Sequence, residues 1–238
     1  MILETVVDCK FRRFSRLFCP LFDSKLGSNI DKSIWPPNFE VENRLKRTRK
    51  STEISINDSL LKKEFYFVRH GQTDHNILEG AAKGDHPEDI SLNTVGRNQA
   101  AAIEPMIALL PVQTICASPM KRAQETKEII TARLSVPHYE IGNLSECSGK
   151  IWKEMARLGM YSPFPSDGEA RLFMERVRDG INHALSLPGP SLIVAHGGVH
   201  WAVCCMMGIE NHEWAVSNCT VVHFSIGTCG QWIATKLS

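Results

Sequence analysis

Phe65-Tyr66-Phe67-Val68-Arg69-His70-Gly71 is the stretch that decides how this chain is read. Its first four residues are a continuous apolar run, the pattern of a strand covered on both faces rather than one. The run stops at an arginine, a histidine and a glycine, so side chains able to do chemistry stand at the carboxyl end of a buried strand. The same grammar recurs further along. Val112–Ala117 reads as a strand and leads into Ser118-Pro119-Met120-Lys121-Arg122, while Leu192–Ala195 reads as another and ends at His196-Gly197-Gly198. Between them lie helical stretches. Thr94–Leu110 is one, with Pro105 set to kink it or end it early. Ser118 as N-cap with Pro119 at the first helical position opens a second, to about Leu134. A third runs from Asp167 to about Leu187, ahead of the turn Pro188-Gly189-Pro190, and an apolar fourth runs to about Met207. His138–Ile141 fits a short strand, and Thr220–Ile226 with Gln231–Lys236 fits a terminal strand pair around Gly227. Alternation of this kind predicts an α/β fold with a mostly parallel central sheet and helices on both faces.

In open parallel sheets ligands bind beyond the carboxyl ends of the strands. Three loaded segments sit at such ends here, so His70, His196, Arg69 and Arg122 are expected to converge on one crevice. Arginine forks donate hydrogen bonds in pairs and suit the oxygens of a phosphoryl group. Helix N-termini after residues 118 and 196 would add backbone N–H groups for the same anion.

Phe67-Val68-Arg69-His70-Gly71-Gln72-Thr73, with Asn76 just beyond, resembles the signature of the histidine phosphatase (phosphoglycerate mutase-like) superfamily. The resemblance continues, in register, through Leu92–Ala100, Ser118-Pro119, Arg122–Thr126, Leu144-Ser145-Glu146, Gly168-Glu169 and Val194–Gly198. It covers roughly residues 64–238, and its strength lies in several segments matching in order, since one Arg-His-Gly tripeptide is common. It implies a phosphomonoester hydrolase in which a neutral ring nitrogen of His70 attacks phosphorus and forms a phosphohistidine, later released by water. It implies that Arg69, Arg122 and His196 hold the phosphoryl group, with Asn76 and Gly197 contributing hydrogen bonds. It assigns Glu146 the proton given to the leaving oxygen. No metal and no cofactor is implied. The segment after Glu146 departs from the family's pattern: Gly149 follows three residues on rather than four, and Trp152 is succeeded by Lys153-Glu154. Glu169 is the alternative acid, although its place suits the start of a helix, where a carboxylate complements the dipole.

Two other functions fit the same resemblance, a phosphoglycerate-type mutase and a non-catalytic phospho-ligand-binding protein with the same fold. Mutases of the family carry a long insertion between the acid and the second histidine, and the interval from Glu146 to His196 leaves little room for one. A binding protein is expected to have lost a core residue, and none of the five is missing. The substrate expected is a phosphorylated small molecule or a phosphoprotein. Loops 76–90 and 147–165 match the family least and are where specificity would reside. Leu78–Ile90 suits a flap, and Met155, Met160, Tyr161 and Phe164 suit an apolar pocket wall. His75, inside the first motif, is placed to reach substrate. His200, four residues after His196, lacks the third ligand a metal site needs. His86, His138, His183, His212 and His223 read as surface or core residues.

Composition bounds the rest. The formal net charge of +1 argues against a nucleic-acid partner. Residues 1–63 carry 13 Lys and Arg against 8 Asp and Glu, and the remainder 14 against 18, so the start of the chain is a different kind of sequence. Residues 1–60 are read as an N-terminal extension of unknown role and residues 61–238 as the histidine phosphatase domain. Within residues 10–22, Phe11, Phe14, Leu17 and Phe18 recur at helical spacing among arginines. That pattern is assigned to a helix packed on the main domain in preference to one lying on a membrane. The basic run Arg44–Lys50 reads as a solvated linker. The eight cysteines form no CxxC pair and several sit in apolar runs, which fits a reducing, cytoplasmic compartment. Oligomeric state is left open.

Overall fold

Phe65–Arg69 forms β1, and its side chains alternate between two separate apolar cores. In this computed structural model, which describes residues 59–77, 89–158, 167–209 and 217–238, that alternation organises the molecule. Residues 1–58, 78–88, 159–166 and 210–216 lie outside the described residues, together with the expectations placed on them: the helix over 10–22, the Arg44–Lys50 linker, most of the flap, His86, His212 and the side chains of Met155, Met160, Tyr161 and Phe164.

After β1 come α1 (Asp74–Ile77), α2 (Thr94–Ile107), β2 (Thr114–Ala117), α3 (Lys121–Ile130), β3 (His138–Glu140), a 3-10 turn (Gly142–Leu144) and α4 (Gly149–Leu158). They are followed by α5 (Gly168–Ser186), β4 (Ser191–Ala195), α6 (Gly197–Met207), β5 (Val221–Ile226) and β6 (Trp232–Lys236). The sheet order is β3-β2-β4-β1-β5-β6. The first four strands in that order are mutually parallel, β5 is antiparallel to β1, and β6 is antiparallel to β5. Phe65, Phe67, Cys116, Ile193, Ala195, Val222 and Phe224 face one way, onto α5 and α6; Tyr66, Val68, Ile115, Ala117, Leu192 and Val194 face the other, onto α2 and α3. The sheet is thus covered on both faces, as the apolar runs require. Phe65 and Phe224 stack across the antiparallel pair with ring centroids 4.9 Å apart.

Several boundaries differ from the sequence reading, each for a local reason. α2 stops at Ile107, two residues after Pro105, and Leu109 and Leu110 continue with tighter bonds to Met106 and Ile107. The N-cap of α3 is Met120, not Ser118, and Pro119 therefore precedes the helix. The Ser118 hydroxyl accepts from Met120 N at 3.3 Å and is otherwise engaged in the site. α3 ends at Ile130 rather than Leu134, where Thr131 Oγ1 bonds back to the Lys127 carbonyl at 2.7 Å. Of the expected loop 147–165, residues 149–158 form α4, and 159–165 lie outside the described residues. Ser148 accepts from Ile151 N at 3.3 Å, and Ile151 and Trp152 pack on the core, so an N-cap followed by apolar residues three and four on was the signal there.

Register places the chemistry. Arg69 pairs with Ala195 and Ala117 with Val194, so His70, His196 and Ser118 leave three neighbouring strands side by side. His70 N bonds to Ala195 O at 3.0 Å, and Ser118 N to Val194 O at 3.0 Å, extending the ladder into the site.

Candidate active site

His70 is buried, with 3% of its surface exposed. Its Nδ1 lies 2.8 Å from the Gly71 carbonyl, which can only accept, so Nδ1 carries the ring proton and Nε2 the lone pair. Arg122 Nε–H donates to that Nε2 at 3.2 Å. Burial, then the charges of Arg69 and Arg122, hold His70 well below the usual imidazole pKa, against a smaller opposing effect of the Gly71 hydrogen bond. These influences favour the neutral ring, the form in which an imidazole nitrogen keeps a lone pair.

The backbone around it is fixed from several sides. Asn218 Nδ2 donates to His70 O at 2.8 Å, and Gly71 N donates to Thr126 Oγ1 at 3.0 Å. A Cβ on Gly71 would come 2.9 Å from the Gly96 carbonyl carbon, and one on Gly96 would come 2.6 Å from Gln72 N. Two glycines thus let the loop after His70 and the start of α2 touch through their backbones. Asn93, the N-cap of α2, accepts from Gly96 N at 2.9 Å and donates its own N–H to Gln72 O at 3.0 Å. Asn218 and Thr126 were not singled out from the sequence, because a lone Asn or Thr has no spacing signal that aims it at a distant backbone.

Arg69 ends β1, and Arg122 is the second residue of α3. Burial lowers both guanidinium pKa values, and the Glu146 carboxylate works against that on each. His196, the N-cap of α6, is fully buried; its ring centroid is 5.2 Å from that of His70, and its Nε2 is 2.8 Å from Ser118 Oγ. Its Nδ1 is buried with no hydrogen-bond partner. Burial first, then His70, Arg122, Arg69 and Arg176, push the His196 pKa well down. These influences favour the neutral ring of His196, and an anion beside it would oppose them.

Glu146 reaches the same place from the loop after the 3-10 turn. Its Oε1 accepts from Cys147 N at 3.0 Å and its Oε2 from Gly198 N at 3.3 Å. The α6 N-terminus, expected to serve phosphate alone, thus gives one of its N–H groups to a carboxylate. Gly197 begins α6 at the wall of the site: a Cβ there would lie 3.7 Å from Arg69 Nε and 3.4 Å from the Trp152 ring. Asn76 caps its own turn, its Oδ1 accepting from Thr73 N at 2.9 Å and Thr73 Oγ1 at 3.1 Å; the amide nitrogen takes no part in those bonds.

Other candidates fall elsewhere. Glu169 is exposed in the first turn of α5 and pairs with Lys150 at 3.0 Å. His200 is a core residue, edge-on to Phe67 with centroids 5.4 Å apart. His223 stacks on Tyr66 and sits 3.3 Å from Glu64. His75 is half-buried in α1. Among the described residues, no group of three or more His, Cys, Asp and Glu is placed to hold a metal ion. The six described cysteines are free, and burial raises the thiols of Cys116, Cys205 and Cys219 to about 12.

Two histidines and two arginines gathered at the carboxyl ends of parallel strands make a cationic crevice suited to a phosphoryl-sized anion. Residues 65–236 match the family model of the histidine phosphatase superfamily (branch 1), and the chain belongs to that family. It is 32% identical over 179 residues to an agropine synthesis reductase of Rhizobium rhizogenes, covering 71% of this chain but 40% of that protein. The chain thus spans well under two thirds of that relative's length. It is 37% identical over 139 residues to the uncharacterised phosphatase PhoE of Bacillus subtilis (strain 168), covering 55% of this chain and 69% of that one. Among solved structures, a mutant phosphoserine phosphatase of Entamoeba histolytica in complex with phosphoserine superposes with a TM-score of 0.55. It is 21% identical, with 72% of this chain and 94% of that one covered, which shows the shared fold.

Proposed function

We propose that this chain is a phosphomonoester hydrolase that works through a phosphohistidine on His70 and needs no metal ion. The observation that supports this most is the pairing of His70 Nδ1 with the Gly71 carbonyl, which leaves Nε2 as a lone pair facing Arg122. As the phosphoryl group enters, Arg122 exchanges Nε2 for a phosphoryl oxygen, and Arg69 binds another. His196, with Ser118 donating to its Nε2, presents Nδ1–H to a third. Asn76 and Gly197 complete the phosphate contacts with an amide N–H and a backbone N–H.

Nε2 then attacks phosphorus in line with the departing oxygen; the N–P bond forms, the P–O bond breaks, and Glu146, which enters this step in its carboxylic acid form after taking a proton as the phosphoryl anion binds, gives that proton to the departing oxygen. Water attacks phosphorus in the second step, Glu146 takes its proton back, and the N–P electron pair returns to Nε2 as phosphate leaves. Compression of the neutral imidazole between two guanidinium groups serves the first step, since those cations raise no barrier to a neutral base while they attract the dianion.

A hydrolase is favoured over a mutase because α4, α5 and β4 take up most of the interval between Glu146 and His196. A binding-only role is disfavoured because Arg69, His70, Arg122 and His196 stand together and Glu146 faces both arginines electrostatically. The substrate is a phosphorylated small molecule in preference to a phosphoprotein, in keeping with the ligand of the phosphoserine phosphatase. The free thiols suit a reducing, cytoplasmic setting, and among the described residues no helix is long and apolar enough to cross a membrane. Residues 1–60 act as an extension to the catalytic domain at 61–238.

Purified protein is expected to hydrolyse p-nitrophenyl phosphate in EDTA, and His70→Ala to abolish this. Activity that needs added metal, or that survives His70→Ala, would overturn the mechanism.

A further inference from the structure

Glu146 forms no ion pair among the described residues; its carboxylate is held by two backbone N–H groups, Cys147 N and Gly198 N. Where that carboxylate points is therefore set by the backbone of residues 143–147 together with the start of α6 at Gly198. One side chain from a distant element grips that backbone. Arg176, in the middle of α5, donates from Nη1 to Asn143 O at 3.0 Å and from Nη2 to Ser145 O at 2.9 Å, with Glu146 O at 3.5 Å from the same Nη2. One turn further along, a Cβ on Gly180 would lie 2.9 Å from Asn143 Cβ, so α5 and this segment are in close contact there. The Arg176 guanidinium lies 5.0 Å over the Phe173 ring, which fixes its plane from beneath.

We propose that Arg176 is the positioning residue of the catalytic acid: it sets the aim of Glu146 by holding three carbonyls of the acid loop in one planar fork. This rests on the reading of Glu146 as general acid. A planar fork reaches several carbonyls at fixed angles, whereas a lysine ammonium on its flexible stem reaches one at a time. The same cation also lies within the field of the acid, since burial lowers the Arg176 pKa while the Glu146 carboxylate opposes that. A residue that merely stabilised the fold would lower turnover of every substrate alike. A residue that aims the acid matters in proportion to how much the leaving oxygen needs a proton.

The test compares kcat/KM, which reports the first phosphoryl transfer, for p-nitrophenyl phosphate and phenyl phosphate. Phenol, with a pKa of about 10, is a poorer leaving group than the more acidic p-nitrophenol. Arg176→Gln is expected to lower the phenyl phosphate value about 100-fold, the scale of a misplaced catalytic group, and the p-nitrophenyl value under about tenfold. Arg176→Lys, which keeps charge and bulk, is expected to recover the p-nitrophenyl value and only part of the phenyl value. Glu146→Gln is expected to show the same selective loss. The double variant Glu146→Gln/Arg176→Gln is expected to lose no more selectivity than Glu146→Gln alone. If Glu146→Gln is selective and Arg176→Gln lowers both substrates equally, or neither, the Arg176 proposal fails by itself. If Glu146→Gln shows no selectivity, the assignment of the acid fails and this proposal fails with it. Should Arg176→Gln not fold, selectivity in Arg176→Lys decides: none overturns the proposal.

Discussion

Lowering the pH from 6.5 to 5.5 is expected to weaken this fold through two residues of its own active site. His70 and His196 are 3% and 0% exposed, and both are held well below the ordinary imidazole value, by burial first and by neighbouring cations second. In the unfolded chain each takes up a proton near a pKa of about 6.5. Unfolding therefore binds protons below that pH, and stability present above it is lost as pH falls, until the depressed folded pKa is reached. For one such group whose folded pKa lies below the window, the loss between pH 6.5 and 5.5 is about 1 kcal/mol, and for the pair about 2 kcal/mol. Carboxylates titrating in the same range blur the total, so the informative quantity is a difference. Urea denaturation of the wild type and of His196→Gln at both pH values isolates the His196 share. The wild type is expected to lose about 1 kcal/mol more than the variant, which is about 0.5 M in urea midpoint for a slope of about 2 kcal/mol per M. Equal pH dependence in the two proteins would show that His196 already carries a proton in the folded state, and the neutral, buried reading of the site would be wrong.

Gly198→Ala would bring a Cβ within contact distance of Glu146 Oε1 and 2.9 Å from Cys147 Sγ, both at the ends of side chains that can move. The expected outcome is a nearly unchanged melting temperature with a selective loss of phenyl phosphate hydrolysis over p-nitrophenyl phosphate; a variant that keeps its selectivity would show that this glycine does not hold the acid in place. Phe65→Ala removes a fully buried ring stacked on Phe224 and edge-on to Trp232. It is expected to cost about 3–5 kcal/mol by denaturant titration, and a loss under about 1 kcal/mol would mean that the core under β1 is not packed as described.

The sheet was legible in the sequence because each central strand is covered on both faces and leaves a short uninterrupted apolar run: Phe65–Val68, Ile115–Ala117, Leu192–Ala195. That His70, Arg69, Arg122 and His196 come together was legible because each follows or nearly follows such a run, and strand ends are where a parallel sheet gathers its polar groups. α4 lies in the segment that departs from the family pattern, although Ser148, Ile151 and Trp152 carry a helix signal. Ser118 was given to the wrong partner. A Ser-Pro pair before a helix reads locally as a cap, and only the pairing of β2 with β4 brings that hydroxyl to His196 instead.

By itself, then, the sequence determined which residues form buried strands and which polar groups follow them, since burial periodicity is a local property of the chain. Tertiary structure alone decided the electrical state and the aim of those groups. That His70 is Nδ1-protonated depends on the Gly71 carbonyl, that His196 is held neutral depends on burial among three arginines, and the carbonyls just before Glu146 are held by Arg176 from another helix. Those are distances between residues far apart in the chain, and no spacing along it encodes them.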